Sequence, residues 1–462
     1  MRFSTQLAMA VGVFAVCLGT VLASDWPAFR GSRGGVADDT ELPAKWSKDN
    51  IVWKIKLPGA GTSSPIITGD KIILTANSGY GTSISKGMGG GFGGGKGGFP
   101  PKGGGGFGKG DVGDQSKLKL LVVCLDLAKG EIAWQKEVAP KLPETSFTGM
   151  MREHSYASAT PVTDGKAIYA FFGKSGVHAF DLEGNKLWSA DVGSTTHQWG
   201  SAASPVLHGD LVIVNAAIES KSLVALDKKT GKEVWRVRGL GTTWSSPIIA
   251  ETKDSKHELI LNVPGKIAGY DPETGKELWH CQGVVAGGGG GGGGFGGGIG
   301  GPYTASTPVA RDGIVYVIGG GGPTPTAAIA IKTGGRGDVS SSHVVWKSKA
   351  GACNCSPVLT GDYLCFVDGT VTCLNIADGK QAYKERLYDS KNEYVSAVAT
   401  SDKVFALTRY SGIYVIAGGG KFERLGHFDF TGDTSIFNAS PAIADGRIYL
   451  RSNEYLYCVG KK

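Results

Sequence analysis

The sequence lacks the features that mark nucleic-acid-binding and membrane-spanning proteins. It has no long run of basic residues, and its formal net charge is only +7 over 462 residues. A chain that binds phosphate backbones usually carries a dense basic patch. Beyond the N-terminus, no apolar stretch reaches the length that a transmembrane helix requires. We therefore expect neither a nucleic-acid partner nor a membrane span.

Catalytic and metal-binding signatures are missing as well. The chain shows no defensible Ser/His/Asp arrangement, zinc-ligand spacing or phosphate-binding loop. The Gly-x-Gly matches inside the glycine-rich segments do not lie between a strand and a helix, as nucleotide binding requires. We predict no catalytic residue and no metal site.

The single long apolar run lies at the very N-terminus. It follows Arg2, ends in "VLA", and is short for a membrane span. This order of charge, apolar run and small residues is typical of a secretory signal peptide, here residues 1–23 with cleavage after Ala23. Cys17 follows Val16, which is larger than the residue that precedes a lipid-modified cysteine. We predict a cleaved, soluble protein that is periplasmic or secreted.

Cysteine is scarce, with 8 residues in the chain, one of them in the signal peptide. Cys124, Cys373 and Cys458 fall at matching places in strand-like runs, where cysteine packs as a small buried hydrophobic residue. Cys353 and Cys355 are separated by one residue, and a bridge across so short a span is strained. We expect each of these two to be free or paired elsewhere.

Glycine, by contrast, is abundant, with 75 residues, and much of it lies in two insertions at 85–114 and 286–301. Such a composition forms flexible coil that cannot bury a core. We favour a disordered spacer for both insertions. Because phenylalanines punctuate them, a tether or a loose lid is the alternative.

A turn followed by tryptophan recurs along the chain, and internal repeats of this kind decide the fold. The phrase is "LDKKTGKEVW" at 226–235 and "YDPETGKELW" at 270–279. In the second copy, Asp271 can accept hydrogen bonds from the N–H groups of the turn, and Gly275 provides a position with positive φ. Trp279 should then bury its ring against a neighbouring unit.

A second repeated phrase begins with serine and proline, continues with a short hydrophobic run and ends in a Gly-Asp or Asp-Gly turn before the next strand. An example is "SSPIITGDKIIL" at 63–74. The phrase occurs eight times, at intervals of 40 to 49 residues where no insertion intervenes. Regular turn signals without helical periodicity indicate an all-β fold, and four strands per repeat predict a β-propeller. The marker prolines are Pro65, Pro161, Pro205, Pro247, Pro308, Pro357 and Pro441, with Ala397 in the remaining repeat.

We therefore predict an eight-bladed β-propeller of four-stranded antiparallel blades over residues 50–462, preceded by a leader at 24–49. The last repeat ends three strands into its blade, so residues 50–59 should supply the fourth strand and close the ring, which removes exposed sheet edges. A tryptophan recurs at one place in six blades, where we predict that it packs one blade against the next. The series is Trp53, Trp134, Trp188, Trp235, Trp279 and Trp346, with Tyr383 and Leu425 in the last two blades.

The tryptophan phrases resemble the tryptophan-docking repeat of pyrroloquinoline-quinone-type propellers. That repeat occurs in eight-bladed quinoprotein alcohol dehydrogenases and in the non-catalytic propeller of the outer-membrane β-barrel assembly machinery. The resemblance covers roughly residues 50–462, and the leader "DWPAFRGSRGGVADDTELPAKW" at 25–46 resembles the start of many exported bacterial propellers of this kind. It implies the fold, while the activity has to be judged from the site residues.

The dehydrogenases of this type carry an adjacent pair of cysteines over the cofactor and a calcium ion held by Glu and Asn near a catalytic Asp. This sequence has no adjacent cysteine pair, and Glu153 and Glu393 are the visible carboxylates at the starts of inner strands. Calcium takes about six or more oxygen ligands, which the spacing does not assemble. We expect no cofactor. Pyrroloquinoline quinone with calcium belongs to the alternative, a quinone-dependent dehydrogenase or an inactive relative of one.

The residues just ahead of each serine–proline phrase should surround one mouth of the central channel, on the face from which the glycine-rich insertions emerge. They are rich in polar aromatic side chains, a composition that suits a small-molecule or peptide pocket. Inter-blade packing of the tryptophans and surface hydrogen bonding of the histidines are the alternatives. The candidate ligand-binding residues are Arg152, Glu153, His154, Tyr156, His197, Gln198, Trp199, Trp244, Tyr303, Tyr394 and Asn438.

These expectations combine into one functional hypothesis. The chain should be a monomeric binding or scaffold protein of the cell envelope, which contacts envelope proteins or a small ligand at the channel mouth. The quinone-dependent dehydrogenase is the competing hypothesis.

The closure of the ring can be tested by deleting residues 50–59. Without its outer strand the last blade exposes an unpaired edge, so we expect the soluble yield to fall sharply relative to the full chain. A deletion variant that is expressed and folded like the full chain would contradict the closure.

Overall fold

A computed structural model describes residues 25–38, 42–82, 113–147, 154–283, 303–321, 324–352, 354–388, 393–430 and 432–461. The predicted signal peptide, Arg152, Glu153, Cys353 and nearly all of the glycine-rich insertions lie outside these residues. Within the described part of the chain, no helix is long and apolar enough to cross a membrane.

The described strands form eight sheets, so the eight-bladed β-propeller is confirmed. Each inner strand begins at the residue that follows the marker proline, or Ala397 in blade 7. Proline suits this position because it lacks an N–H group for the ladder and holds the preceding residue in an extended conformation.

The bounds of the strands follow the repeats closely. Strand β1 is Ile51–Lys56. Blade 1 contains β2 (Ile66–Thr68), β3 (Lys71–Ser78), β4 (Lys119–Asp126) and β5 (Ile132–Val138), and blade 2 contains β6 (Val162–Thr163), β7 (Ala167–Phe171), β8 (Val177–Asp181) and β9 (Lys186–Ala190). Blade 3 contains β10 (Val206–His208), β11 (Leu211–Ala216), β12 (Ser222–Asp227) and β13 (Glu233–Arg238), with a short helix α1 (Ala217–Ser220) after β11.

The second half of the ring repeats the plan. Blade 4 contains β14 (Ile248–Glu251), β15 (His257–Val263), β16 (Lys266–Tyr270) and β17 (Glu277–Gln282), and blade 5 contains β18 (Val309–Arg311), β19 (Ile314–Gly321), β20 (Thr324–Lys332) and β22 (Val344–Ser348). Between β20 and β22, β21 (Gly337–Asp338) pairs in parallel with the outer edge of β17 and gives blade 4 a fifth strand.

The last three blades complete the ring. Blade 6 contains β23 (Val358–Thr360), β24 (Tyr363–Val367), β25 (Thr370–Asn375) and β26 (Gln381–Arg386). Blade 7 contains β27 (Val398–Ala399), β28 (Lys403–Leu407), β29 (Ile413–Ala417) and β30 (Arg424–Phe428), and blade 8 contains β31 (Ala442–Ala444), β32 (Arg447–Arg451) and β33 (Tyr455–Gly460).

The N-terminal strand β1 closes the ring as predicted. It pairs antiparallel with β33 as the outer strand of blade 8, with Trp53 opposite Cys458. This is the register seen in the other blades, where Trp134 lies opposite Cys124 and Trp188 opposite Ala179. Strands from the two ends of the chain therefore share one sheet, as closure requires.

The tryptophans of the outer strands contact the following blade. The indole Nε1 of Trp188 donates to the carbonyl oxygen of Lys228 at 2.9 Å, and Trp235 donates to Pro272 at 3.1 Å. Gly231 has a φ of 70°, and a Cβ atom there would lie 2.5 Å from the Trp188 ring, so glycine both permits the turn and leaves room for the indole. Trp134 and Trp346 make the same bond to Leu182 and Ile376.

The turn before Trp279 has the predicted chemistry, but Trp279 itself differs from its relatives. Asp271 accepts hydrogen bonds from the N–H groups of Glu273 and Thr274, and Gly275 has a φ of 72°. The indole of Trp279 is fully buried and donates to Oε2 of Glu258, at 2.7 Å.

A buried carboxylate thus joins blades 4 and 5. Oε2 of Glu258 also accepts from the N–H of Gly334, and its Oε1 lies 3.3 Å from the guanidinium of Arg336. Both residues belong to the turn of blade 5 that the other tryptophans reach directly. Trp279 therefore acts on this turn through Glu258.

Blade 7 departs from the predicted series. Gly426 pairs with Val415, at the position where the other blades have an aromatic residue. Leu425 lies in the register shift next to this pair and has no partner on β29. A Cβ atom on Gly426 would lie 2.1 Å from the carbonyl oxygen of Ala44, so the leader takes the space of the missing ring. The prediction of Leu425 at this place is therefore wrong by one residue, because it assumes a large side chain where the structure has Gly426.

Cysteine pairing also differs from expectation for Cys373. Cys124 and Cys458 are buried and free, as predicted, and so is Cys355. Cys373, expected as a free buried residue, forms a disulfide with Cys365. The two lie directly opposite each other on β24 and β25, which brings their side chains together.

The packing of one blade against the next can be tested at Trp188. Trp188→Ala removes a buried ring and its hydrogen bond to blade 3, so we expect the free energy of unfolding to fall by about 3–5 kcal/mol. Leu187→Ala is the matched control, because Leu187 is the next residue on the same strand and is 52% exposed; its effect should stay within about 0.5 kcal/mol. Equal losses in urea denaturation would contradict this role of Trp188.

Candidate functional site

A ring of hydroxyl groups lines the central channel. The residue immediately before each marker proline or Ala397 is a serine or threonine, and all eight are at least 94% buried. The backbone N–H of each donates to the hydroxyl oxygen of its counterpart in the next blade, at 2.9–3.1 Å, across seven of the eight blade junctions. We call these residues the hydroxyl ring: Ser64, Thr160, Ser204, Ser246, Thr307, Ser356, Ser396 and Ser440.

The eighth junction, between blades 8 and 1, uses an arginine instead. Arg451 is fully buried, and its Nη1 donates to the carbonyl oxygen of Ser63 at 2.8 Å and to the Ser63 hydroxyl. Its Nε and Nη2 have no partner among the described residues. Burial lowers the pKa of Arg451 to about 9, which leaves it charged at neutral pH. A guanidinium therefore lies next to the hydroxyl ring where the ring is open.

The leader crosses the channel at the end away from the predicted mouth. Trp26 exchanges backbone hydrogen bonds with Ile67 of blade 1, three residues beyond the hydroxyl ring. Gly34 lies against Val309 of blade 5, across the channel, and Gly35 and Ala37 bond to Ala399 of blade 7. Between them, Arg30 is 1% exposed, and its Nη2 donates to the carbonyl oxygens of Pro357 and Ala397.

Arg30 is a second buried cation beside the ring. Its Nε and Nη1 have no partner within the described residues, and it has a φ of 62°, which is uncommon for a residue with a side chain. Burial lowers the pKa of Arg30 to about 9, so it is charged at neutral pH.

The hydroxyl ring and the leader enclose a cavity of about 230 Å³, which we call the cup. Phe29 of the leader contributes to its floor, the hydroxyl ring to its wall, and residues ahead of the inner strands to its rim. The lining residues besides the ring are Phe29, Thr62, His154, Ser158, Trp199, Ala202, Trp244, Ala305, Asn354, Tyr394 and Asn438.

One side of the rim is an aromatic cluster. The rings of Trp199 and Trp244 lie 5.4 Å apart, and Tyr303 meets both edge-on at 5.0 and 5.6 Å. His197 contacts Trp244 at 5.0 Å, and burial lowers the pKa of His197, which favours its neutral form. Trp244 donates to the carbonyl oxygen of Gly200, while Nε1 of Trp199 is buried without a partner in the described chain.

Residues from opposite halves of the ring meet on the other side of the rim. His154 precedes blade 2 and Tyr394 precedes blade 7, yet their rings are 5.8 Å apart. The guanidinium of Arg409 lies 4.5 Å from the centre of the Tyr394 ring and donates to Oδ1 of Asn438 at 2.8 Å. The loop before blade 2 therefore reaches across the mouth.

The structure places five of the eleven predicted mouth residues in the cup: His154, Trp199, Trp244, Tyr394 and Asn438. Tyr303 contacts the tryptophans of the rim, and Tyr156 and His197 line a smaller adjacent cavity. Gln198 lines none of the cavities described here, and Arg152 and Glu153 lie outside the described residues.

Sequence reasoning missed the wall and the floor of the cup. The serines and threonines before proline serve only as a repeat marker in the sequence analysis, although eight similar hydroxyls at equivalent places in a closed ring must converge on its axis. Phe29 and Arg30 carried no such signal, because nothing in the repeat indicates that a segment outside it enters the channel.

The chemistry of the cup is that of hydroxyls, amides and aromatic rings. The described lining contains no Asp, Glu, Lys or Arg, and no group of three His, Cys, Asp or Glu residues in the described chain could hold a metal ion. Calcium prefers carboxylate and carbonyl oxygens, so these lining residues do not fit a calcium–quinone centre. The cup can bind through hydrogen bonds and aromatic contacts.

The smaller cavity, of about 30 Å³, lies beside the rim and contains Glu144, Lys174 and Ser201 in its lining. Ser201 donates to Glu219, which is 2% exposed and whose other carboxyl oxygen has no partner among the residues described. Burial raises the pKa of Glu219 to about 7, and the nearby Glu144 adds to the shift. Burial likewise raises the pKa of Glu144 to about 7.

A third cavity, of about 390 Å³, opens among the turns of blades 3 to 5, on the face away from the mouth. The ring of His208 lies 5.3 Å from that of His257, and its Nε2 is 3.1 Å from Glu273. Glu258 and Arg336, which join blades 4 and 5, also line it. The structural role of these two residues accounts for part of its polar lining.

Comparison with known proteins agrees with this architecture. A family described as outer membrane protein assembly factor BamB matches residues 119–385. The chain belongs to this family. Two solved structures share the fold at low sequence identity. BamB from Moraxella catarrhalis has a TM-score of 0.56 at 15% identity and covers 89% of this chain and 99% of its own. A quinohemoprotein alcohol dehydrogenase from Comamonas testosteroni has a TM-score of 0.57 at 11% identity, covering 95% and 81%.

Curated relatives are quinoprotein dehydrogenases that match in part. The 1-butanol dehydrogenase (quinone) of Thauera butanivorans is 29% identical over 163 residues, or 31% of this chain and 25% of its own length. The quinohemoprotein alcohol dehydrogenase ADH-IIG of Pseudomonas putida is 28% identical over 134 residues, or 26% and 19%. The chain thus matches a quarter or less of the length of these relatives. The comparisons establish a propeller related to pyrroloquinoline-quinone proteins.

The buried carboxyl groups predict a pH dependence of stability. Because the pKa of Glu219 in the folded protein exceeds its ordinary value of 4.5, its contribution is fully present below that value and is lost as the pH rises through about 7. The free energy of unfolding of the full chain should therefore fall between about pH 5 and about pH 8. In Glu219→Gln this fall should be smaller by about 2 kcal/mol. The exposed Glu183 provides the control Glu183→Gln. An unchanged pH profile of Glu219→Gln in urea denaturation would show that Glu219 is ionised in the folded protein.

Proposed function

We propose that this protein is an exported binding protein of the cell envelope and that the cup is its binding site. The observation that carries the proposal is the construction of the cup, in which all eight blades and the leader contribute to one cavity with an aromatic rim. Binding sites are typically concave, largely preformed, and lined by aromatic walls with a few convergent polar groups.

The surroundings of the cup support a binding role. Residues from opposite halves of the ring meet at the rim, so an occupant of the mouth would contact several blades at once. Membership of the BamB family, whose description names outer-membrane assembly, supports an envelope location and a protein partner. The size of the cup also suits a small ligand. The proposal therefore includes two kinds of occupant, a segment of a protein partner and a small molecule.

A quinone-dependent dehydrogenase is the second candidate, favoured by the partial matches to quinoproteins. It would require a carboxylate-rich calcium site, and the side chains in the described lining of the cup include hydroxyls and amides but no carboxylate. We therefore propose a binding protein in preference to a dehydrogenase.

Filling the cup should abolish binding if it is the site. Ala202 lines the cup, and Ala202→Trp would occupy its volume; Ala128→Trp, on an exposed turn of blade 1, is the matched control. Purified variants would be exposed to envelope extract and to its small-molecule fraction, and retained proteins and compounds identified by mass spectrometry. We expect Ala202→Trp to lose what the full chain and Ala128→Trp retain, by about tenfold or more.

Two outcomes would overturn these assignments. Retention of the same partners and compounds by Ala202→Trp would place the binding site elsewhere. Dye-linked alcohol oxidation by the full chain supplied with calcium and pyrroloquinoline quinone, accompanied by thermal stabilisation, would establish the dehydrogenase instead.

A further inference from the structure

The hydroxyl ring uses only part of its hydrogen-bonding capacity within the protein. A serine or threonine hydroxyl has one donor and two acceptor sites, and seven ring hydroxyls each accept one backbone N–H. None of the eight O–H groups donates to an acceptor in the described part of the chain, although all eight residues line the cup. The wall of the cup therefore offers hydrogen-bond donors to whatever fills it.

The burial of these groups makes their unused donors significant. Buried polar groups nearly always find a partner, either in the protein or in a bound molecule. The ring side chains are between 1% and 6% exposed, so their O–H groups reach an acceptor only inside the cup. A ligand rich in acceptor atoms would meet this need.

Two buried positive charges lie beside the cup, together with one buried carboxylate, Glu393, whose chain neighbour Tyr394 lines it. No carboxylate lies in the described lining, while Arg30 and Arg451 bond to Pro357 and Ser63, the immediate chain neighbours of Ser356 and Ser64 in the ring. Neither guanidinium has an acidic partner within 4.0 Å among the residues described. A buried charge without a counter-charge is unfavourable, and an anion nearby would stabilise both.

From these observations we propose that the cup binds an anionic ligand, whose carboxylate or phosphate oxygens accept hydrogen bonds from the hydroxyl ring. Hydrogen bonds to a charged acceptor are stronger than those to a neutral one, and the two arginines add a favourable field. The inference rests on the proposed function, because it names the class of ligand for the same cup.

Matched pairs of anionic and neutral compounds test the proposal. Benzoate would be compared with benzamide, and succinate with succinamide, by calorimetry and by quenching of tryptophan fluorescence, since Trp199 and Trp244 lie in the rim. We expect each anion to bind the full chain about tenfold more tightly than its amide. Ala202→Trp should abolish the binding of both.

Thr307 allows the ring itself to be tested with little change in shape. Its hydroxyl accepts the N–H of Ser246 and lines the cup. Thr307→Val removes the hydroxyl and keeps the branched side chain, whereas Thr307→Ser keeps the hydroxyl and introduces the residue found at six of the eight ring positions. Thr307→Val should weaken anion binding by about tenfold and leave amide binding nearly unchanged, while Thr307→Ser should keep the preference for the anion. Thr160→Val and Thr160→Ser provide the same pair in blade 2, should Thr307→Val fail to fold.

Each outcome decides between the inferences. If neither anion nor amide binds the full chain, the anion preference is wrong, and the proposed function is decided separately by whether Ala202→Trp loses the partners that the full chain retains. If the amides bind as tightly as the anions and Ala202→Trp abolishes this, the cup remains a binding site and the anion preference alone is wrong. Equal loss of anion and amide binding in Thr307→Val, relative to Thr307→Ser, would show that the hydroxyl acts on the fold and is not a donor to the ligand.

Discussion

The fold depends on one hydrogen bond, repeated at seven of the eight blade junctions, from the backbone N–H of the residue before the marker proline to the hydroxyl of its counterpart in the next blade. The bond fixes neighbouring inner strands to one another at the axis, where the blades are closest. Because proline follows directly, the strand begins at the same residue in each blade. The diameter of the channel, and with it the size of the cup, follows from this contact. The outer tryptophans make the corresponding contact farther from the axis.

These two contacts explain why so much of the fold could be predicted from the sequence. Both rely on short local phrases that must recur once in every blade, so their period reveals the number of blades. The closing strand was predictable for the same reason, since Trp53 carries the outer-strand signal ahead of the first blade. Wherever the structure repeats, short local sequence patterns were enough to predict it.

The remaining features depend on contacts that occur once. Gly426 replaces the expected ring because Ala44 of the leader packs there, and Glu258 intervenes between Trp279 and blade 5 because the next turn carries an insertion. The disulfide joins Cys373 to Cys365, which the turn between two strands brings opposite each other. Contacts that occur only once leave no periodic pattern in the sequence from which they could be predicted. The floor of the cup could not be predicted for the same reason, because Phe29 lies ahead of the first repeat and makes a contact that occurs only once.

The leader has a further consequence for how the molecule assembles. Arg30 belongs to the leader, yet its partners Pro357 and Ala397 lie 327 and 367 residues later in the chain. Contacts of such sequence separation form late, because the intervening chain must already be organised. The floor of the cup is thus completed only once the inner strands of blades 6 and 7 are in place. An occupant of the cup would bind the finished propeller alone and shift the folding equilibrium toward it by mass action.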